Sequence, residues 1–166
     1  MRTLYLVRHA KSSWKNPGLD DFERPLNKRG YRDAPFMGKI LKKMNVSPSL
    51  IISSSATRAG VTARTIAEKI NYPLEKIQYS EDIYLAGEGE LLRLIERLDD
   101  NKKKVMLVGH NPGFTSLANY FTSQYVNNVP TCGIFCVNFN IASWALIEAD
   151  CGEFKFFEYP KKYASK

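Results

Sequence analysis

The stretch Thr3-Leu4-Tyr5-Leu6-Val7-Arg8-His9-Ala10 decides the fold of this chain. Five residues suited to both faces of a strand run straight into an arginine and a histidine. An apolar run without polar alternation suits a central strand covered on both sides, as in α/β domains with a parallel sheet. Val105-Met106-Leu107-Val108-Gly109-His110 repeats the arrangement, and His9 and His110 are the only two histidines in the sequence. Each follows a strand directly. In open α/β sheets ligands bind outside the carboxyl ends of the strands, so two parallel strands would bring both imidazoles to one mouth.

Working outward, Leu50 to Ser53 gives another strand and Lys76 to Tyr79 a weaker one. Helical spacing is carried by Met37, Ile40, Leu41 and Met44, by Ala59, Ala63, Ile66, Ala67 and Ile70, by Leu91, Ile95 and Leu98, and by Phe114, Leu117, Ala118 and Phe121. Each set forms one apolar stripe, as a sheet-covering helix requires. Pro35 removes a helical hydrogen bond, so its helix either starts near Asp33 or kinks there. After Asn127, short turns separate Ile134 to Phe139, Ala142 to Glu148 and Glu153 to Glu158, a spacing that predicts antiparallel pairing. The expected fold is a three-layer α/β/α sandwich with a mostly parallel central sheet and antiparallel strands near the C-terminus. A single domain spans 1–160, followed by a short basic tail over 161–166.

Composition narrows the function. With 166 residues, 44% apolar, 25% charged and a net charge of +7, the chain is neither a disordered tail nor a disulfide miniprotein. Cys132, Cys136 and Cys151 are odd in number and lack metal-ligand spacing, so they read as buried reduced thiols of a cytoplasmic protein. The apolar run Leu4 to Val7 is far too short for a signal peptide or a membrane span. A pI near 9.3 raises the question of nucleic acid. The basic clusters are small, however, and no aromatic stacking motif or KH-type loop accompanies them, so no nucleic-acid partner is expected. A positive field instead favours a small or protein-borne anion.

The anion site is legible in the residues that join the histidines. Arg8 precedes His9, and Ser53-Ser54-Ser55-Ala56-Thr57-Arg58 places Arg58 near the first turn of a helix after the second strand. Two guanidiniums, two imidazoles and nearby helix N-termini suit a tetrahedral dianion. Asn111 is expected to cap the helix after His110, with Pro112 at its first position. Two histidines without cysteines or clustered carboxylates make a poor metal site, and no cofactor is expected.

These residues resemble the histidine phosphatase superfamily, also called phosphoglycerate mutase-like. Leu6-Val7-Arg8-His9-Ala10 resembles its R-H-G signature, with Ala10 in place of glycine. Phe22-Glu23-Arg24-Pro25-Leu26-Asn27-Lys28-Arg29-Gly30 is similar to its R-P-L-T-x-x-G segment. The run from Ser53 through Arg58 to Thr62 and Ala63 resembles the S-S-x-x-x-R-A-x-x-T-A helix start, and Val108-Gly109-His110-Asn111-Pro112-Gly113 the second-histidine motif. The compact length and the G-H-N-P-G run look most like the SixA-type branch, whose members are associated with removing phosphate from phosphohistidine.

What the resemblance implies is phosphoryl transfer to His9 and hydrolysis of the resulting phosphohistidine, with Arg8, Arg58 and His110 holding the phosphate. The usual glutamate acid has no clear counterpart, because the position aligned to it is apolar. Only 51 residues lie between Arg58 and His110, which leaves little room for a cap domain. Glu81 and Asp82 are the nearest candidate acids, with Asp20 and Asp21 behind them. Lys15 or Asn16 aligns with a phosphate-touching asparagine of mutase-like relatives. Asn111 is a further substrate-binding candidate. Ser12 either donates to phosphate or caps a turn, and Trp14 either borders the substrate or packs its loop. The expected activity is a metal-independent phosphatase acting on phosphohistidine of a protein or another compound with a good leaving group. The alternatives are a non-catalytic phospho-ligand binding module and a small-molecule phosphomonoesterase.

Overall fold

The computed structural model describes residues 1–164. In chain order its elements are β1 (Arg2–Arg8), α1 (Lys28–Lys43), β2 (Leu50–Ser54), α2 (Thr57–Lys69), β3 (Gln78–Ser80), α3 (Glu88–Glu96), β4 (Lys104–Gly109), α4 (Gly113–Phe121), β5 (Ile134–Phe139) and β6 (Gly152–Glu158). The strands form one six-stranded sheet in the order β3-β2-β4-β1-β5-β6. The first four strands run parallel, and β5 pairs antiparallel with both β1 and β6. This is the mixed α/β architecture expected from the sequence.

Side-chain alternation along the central strands builds two cores. Leu4, Leu6 and Leu107 face Leu91, Ile95, Phe114, Leu117 and Phe121 of α3 and α4. Tyr5, Val7, Met106 and Val108 face Met37, Leu41, Ala59, Ala63 and Ile66 of α1 and α2. Burying each large aliphatic side chain contributes roughly 1.5–3 kcal/mol before entropy is counted, so these two layers hold the strand ends that carry the polar groups.

Four sequence expectations need correction. The helix bearing Met37 starts at Lys28, five residues before Asp33, because Asn27 caps it by accepting the Gly30 N–H at 2.9 Å. Pro35 lies inside that helix, and the Tyr31 carbonyl it cannot bond belongs to an exposed residue that water can serve. The weak strand is shifted to Gln78–Ser80, since Leu74–Lys76 form a 3-10 turn. Ala142 to Glu148 is not a strand: a 3-10 turn at Trp144–Leu146 drives the Trp144 ring into the core. Asp100 fixes that turn by accepting from the Trp144 N–H and the Ser143 hydroxyl, both at 2.8 Å, so the apolar residues anchor a loop. The last strand starts one residue earlier than Glu153, at Gly152, which the spacing leaves in the preceding turn and where a Cβ would sit 2.4 Å from Val137 Cγ1.

The segment read as a basic tail begins within a 3-10 turn, Pro160–Tyr163. The Tyr163 ring meets Phe36 of α1 edge-on at 5.6 Å, and Lys162 pairs with Glu158 at 2.9 Å. Positions 165 and 166 lie outside the described residues. Cys132 and Cys136 are buried free thiols, and Cys151 is a half-buried one. No described helix is long and apolar enough to cross a membrane.

Candidate active site

The sheet order places the ends of β2, β4 and β1 side by side, and each end supplies part of one site. In the β1/β4 ladder Arg8 pairs with Gly109, so His9 and His110 both stand one residue beyond it. The His9 N–H continues the ladder to the Gly109 carbonyl at 3.0 Å, and the two imidazole centroids are 5.2 Å apart. Gly109 is required here because a Cβ would lie 2.6 Å from the Phe114 ring. Arg58 arrives from the first turn of α2, next to β2. Thr62, one turn later, donates its hydroxyl to the Arg58 carbonyl at 2.8 Å and accepts the Ala10 N–H at 3.0 Å, locking α2 against the His9 segment.

His9 is 7% exposed. Its Nδ1 lies 2.7 Å from the Ala10 carbonyl, which can only accept, so Nδ1 carries the hydrogen. The Nε2 lone pair is then left toward Arg58, whose Nε is 3.4 Å away. Burial pushes the His9 pKa down to about 3; the Ala10 carbonyl opposes this, and the charges of His110, Arg58 and Arg8 reinforce it. His110 is pushed down to about 4, first by burial and then by Arg58, with Asp21 pulling the other way. Its Nε2 meets the Ser54 hydroxyl at 2.8 Å. Both imidazoles are therefore neutral at pH 7.

This has a consequence for stability. Unfolded, each imidazole titrates near 6.5, so below that pH the unfolded chain takes up protons that the folded chain refuses. Stability is unaffected by these groups above pH 6.5 and falls as the pH drops toward about 4 and about 3. Thermal melts are expected to show a loss of roughly 2 kcal/mol per imidazole by pH 5. A His9→Gln, His110→Gln double variant should flatten that slope, and an equally steep slope would disprove the origin.

The arginines are held by the backbone and by one carboxylate. Arg8 donates from Nη1 to the Val129 carbonyl at 3.1 Å. Arg58, 3% exposed, donates from Nη1 to the Asp21 carbonyl at 2.5 Å and from Nη2 to Asp21 Oδ2 at 3.0 Å. The Tyr84 hydroxyl donates to the same Oδ2 at 2.5 Å, and its ring stands edge-on to His110 at 5.4 Å. Burial acts to raise the Asp21 carboxyl, but hydrogen bonds from Tyr84, Arg58 and Arg24 and the Arg58 charge hold it down at about 2. Four buried side-chain atoms lack a hydrogen-bond partner among the described residues, and two of them, Arg8 Nε and His110 Nδ1, belong to residues of this site; the others are Arg2 Nε and Asp33 Oδ2.

Asp21 and Tyr84 are the residues that sequence reasoning undervalued. The available signal was Asp21 three positions before Arg24 in a loop shared with the histidine motif, since converging buried arginines need a carboxylate partner.

Several predicted positions are occupied otherwise. Ser12 is buried and its hydroxyl accepts from Arg24 Nη1 at 2.9 Å. Lys15 and Asn16 are exposed, and Asn16 Oδ1 accepts the Gly18 N–H at 3.1 Å. Trp14 packs over the Arg24 guanidinium, 3.5 Å from its carbon, with 73% of its surface open. The cap position of α4 is held by Pro112 rather than Asn111, because the helix starts at Gly113; Asn111, one residue before the cap, still accepts the Thr115 N–H at 3.2 Å. Its amide braces Asn128 and the Val129 carbonyl, both at 2.9 Å, so Asn111 supports the loop that holds Arg8. Glu81 and Asp82 are exposed on a 3-10 turn and line a groove with Tyr84, Glu90, Arg93 and Arg97. The carboxylate bonded to the Arg58 side chain is Asp21 instead.

The family model of the histidine phosphatase superfamily, branch 1, matches residues 4–83, from β1 to the turn after β3. The crystal structure of a SixA from Agrobacterium tumefaciens superposes with a TM-score of 0.82 at 27% identity, over 96% of this chain and 98% of that one. The chain belongs to the histidine phosphatase superfamily, in its SixA-type branch. A SixA protein histidine phosphatase solved with tungstate shares the fold at a TM-score of 0.81 and 18% identity, over 96% of this chain and 98% of that one. An uncharacterized protein of Mycobacterium tuberculosis is 31% identical over 166 residues, 93% of this chain and 100% of the relative. Membership in this superfamily supports phosphatase activity on a phosphorylated substrate. In this SixA-type chain Ala10, standing for the usual glycine, is fully buried in the core beneath α1 and α2.

Proposed function

We propose that the protein is a metal-independent phosphatase that forms a covalent phosphohistidine on His9 and acts on phosphohistidine, or on another compound whose leaving group departs without acid assistance. The reading rests on the engagement of Asp21, whose two carboxylate oxygens accept from Arg24, Arg58 and Tyr84. A carboxylate held ionised in this way is no proton donor at neutral pH. Alkyl phosphates need such a donor, whereas a phosphoramidate protonated on nitrogen expels a neutral amine or imidazole.

In the first step His9 Nε2 attacks phosphorus and the bond to the leaving group breaks. The leaving nitrogen keeps the proton it brought. Arg8 and Arg58 take the equatorial oxygens, where charge is already present and must be held in place. With the Ser54 hydroxyl donating to His110 Nε2, the free Nδ1 bears a hydrogen for a phosphate oxygen. Water then attacks the phosphohistidine, releasing orthophosphate and restoring the neutral imidazole. The arginines supply the positive charge that a divalent cation would otherwise bring.

The test is phosphate release from a phosphohistidine peptide, an aryl phosphate and an alkyl phosphate, each in chelator. The peptide and aryl substrates are expected to exceed the alkyl ester by roughly 10²–10⁴-fold, the usual value of general acid catalysis. Comparable rates on all three, or loss of activity in chelator that metal restores, would overturn this reading.

A further inference from the structure

Asp21 is gripped from three sides. Its carbonyl and Oδ2 take the two terminal nitrogens of Arg58, the Tyr84 hydroxyl joins at Oδ2, and Arg24 Nε donates to Oδ1 at 3.0 Å. Arg24 is itself buried, and it closes the loop between β1 and α1 by donating from Nη1 to the Ser12 hydroxyl at 2.9 Å and the Ser13 carbonyl at 3.2 Å. The loop is thus tied through Arg24 and presents Asp21 to Arg58 in a fixed position.

A guanidinium has two edges able to fork onto an oxyanion: its two terminal nitrogens, and Nε with one terminal nitrogen. Asp21 occupies the first. The second contains Nε, which lies 3.4 Å from His9 Nε2. Gripping the far end therefore fixes the guanidinium plane while leaving an edge toward the group that attacks.

We propose that Asp21 is the positioning residue of this site, holding Arg58 by its terminal nitrogens so that the Nε edge meets the phosphoryl oxygens beside His9. Arg24 and Tyr84 act one step further out by holding Asp21. The inference rests on the phosphatase reading for its kinetic form, but its geometric form stands without turnover. An anion that merely competed with phosphate for Arg58 would act in the opposite direction, since its removal would release the arginine and speed the reaction.

The experiment compares Asp21→Asn and Asp21→Ala with wild type on an aryl phosphate, with orthophosphate as competitive inhibitor. Expected for Asp21→Ala is a fall in kcat of roughly 10–100-fold, the usual cost of misplacing a reacting group by about an ångström, with KM and the orthophosphate inhibition constant changed less than about threefold. Asp21→Asn, which keeps an oxygen for the guanidinium, should lie between. On an Arg58→Ala background Asp21→Ala should cost almost nothing more, as for two residues acting as a unit. A full additive loss, a rise in kcat, or a collapse of orthophosphate affinity would overturn the proposal. Should wild type release no phosphate from any substrate, the function reading fails and the Arg58 Nε–H proton resonance decides this one. It is expected to exchange slowly in wild type and rapidly in Asp21→Ala, and slow exchange in both would overturn it.

Discussion

Replacing His9 with alanine is expected to reduce phosphate release from every substrate by roughly 10³-fold or more, the scale seen when a covalent nucleophile is removed. The lone pair at stake is specific. The Ala10 carbonyl fixes the hydrogen on Nδ1, so Nε2 is the basic atom, and the low pKa keeps it unprotonated through the physiological range. Arg8, Arg58 and His110 do not depend on the imidazole for their own anchors at Val129, Asp21 and Ser54. The variant should therefore still bind orthophosphate. Intact-protein mass spectrometry after rapid mixing should detect a phosphoryl adduct in wild type, labile in acid and stable in alkali, and none in the variant. Undiminished release by His9→Ala would transfer the attack to water or to His110.

The parts of this protein that were legible in its sequence are those governed by short-range rules. Each histidine follows a strand at once, so the parallel β1/β4 register alone carries His9 and His110 to one end of the sheet. Arg58 follows β2 by a short turn into α2, and β2 lies beside β4, which explains how four residues from three segments meet. Asp21 was hard to weigh for the opposite reason. It lies in a loop whose path is set by Arg24 folding back on Ser12 and Ser13, a contact with no periodic signature. The same applies to Ala142 to Glu148, where strand-like composition lost to Asp100 capturing the Trp144 N–H from 44 residues away. Tyr84 follows the 3-10 turn Glu81–Ile83, and its bond to Asp21 spans 63 residues. Side chains that bridge distant loops decided the detail of the site, while local patterning decided its location.

Arg58→Ala and Arg58→Lys together separate the two contributions of this arginine. Alanine is expected to lower kcat by roughly 10²–10³-fold, the usual value of a preorganised donor aimed at the reacting oxygens. Lysine keeps the charge but has no planar fork, so it cannot hold Asp21 and face His9 together and should recover little of the rate. The two variants should part in their pH profiles. Arg58 is one of the charges that depress His9, after burial and His110, so alanine should raise the His9 pKa and move the acid limb of kcat/KM toward neutral pH. Lysine should leave that limb near its wild-type position. The sign follows from electrostatics: removing a neighbouring positive charge lowers the cost of protonating the imidazole, so the inactive protonated form persists to higher pH. Equal rates for lysine and wild type would reduce Arg58 to a point charge and remove the need for its tether, whereas an unmoved acid limb in Arg58→Ala would leave burial, with His110 and Arg8, as the reason His9 stays neutral.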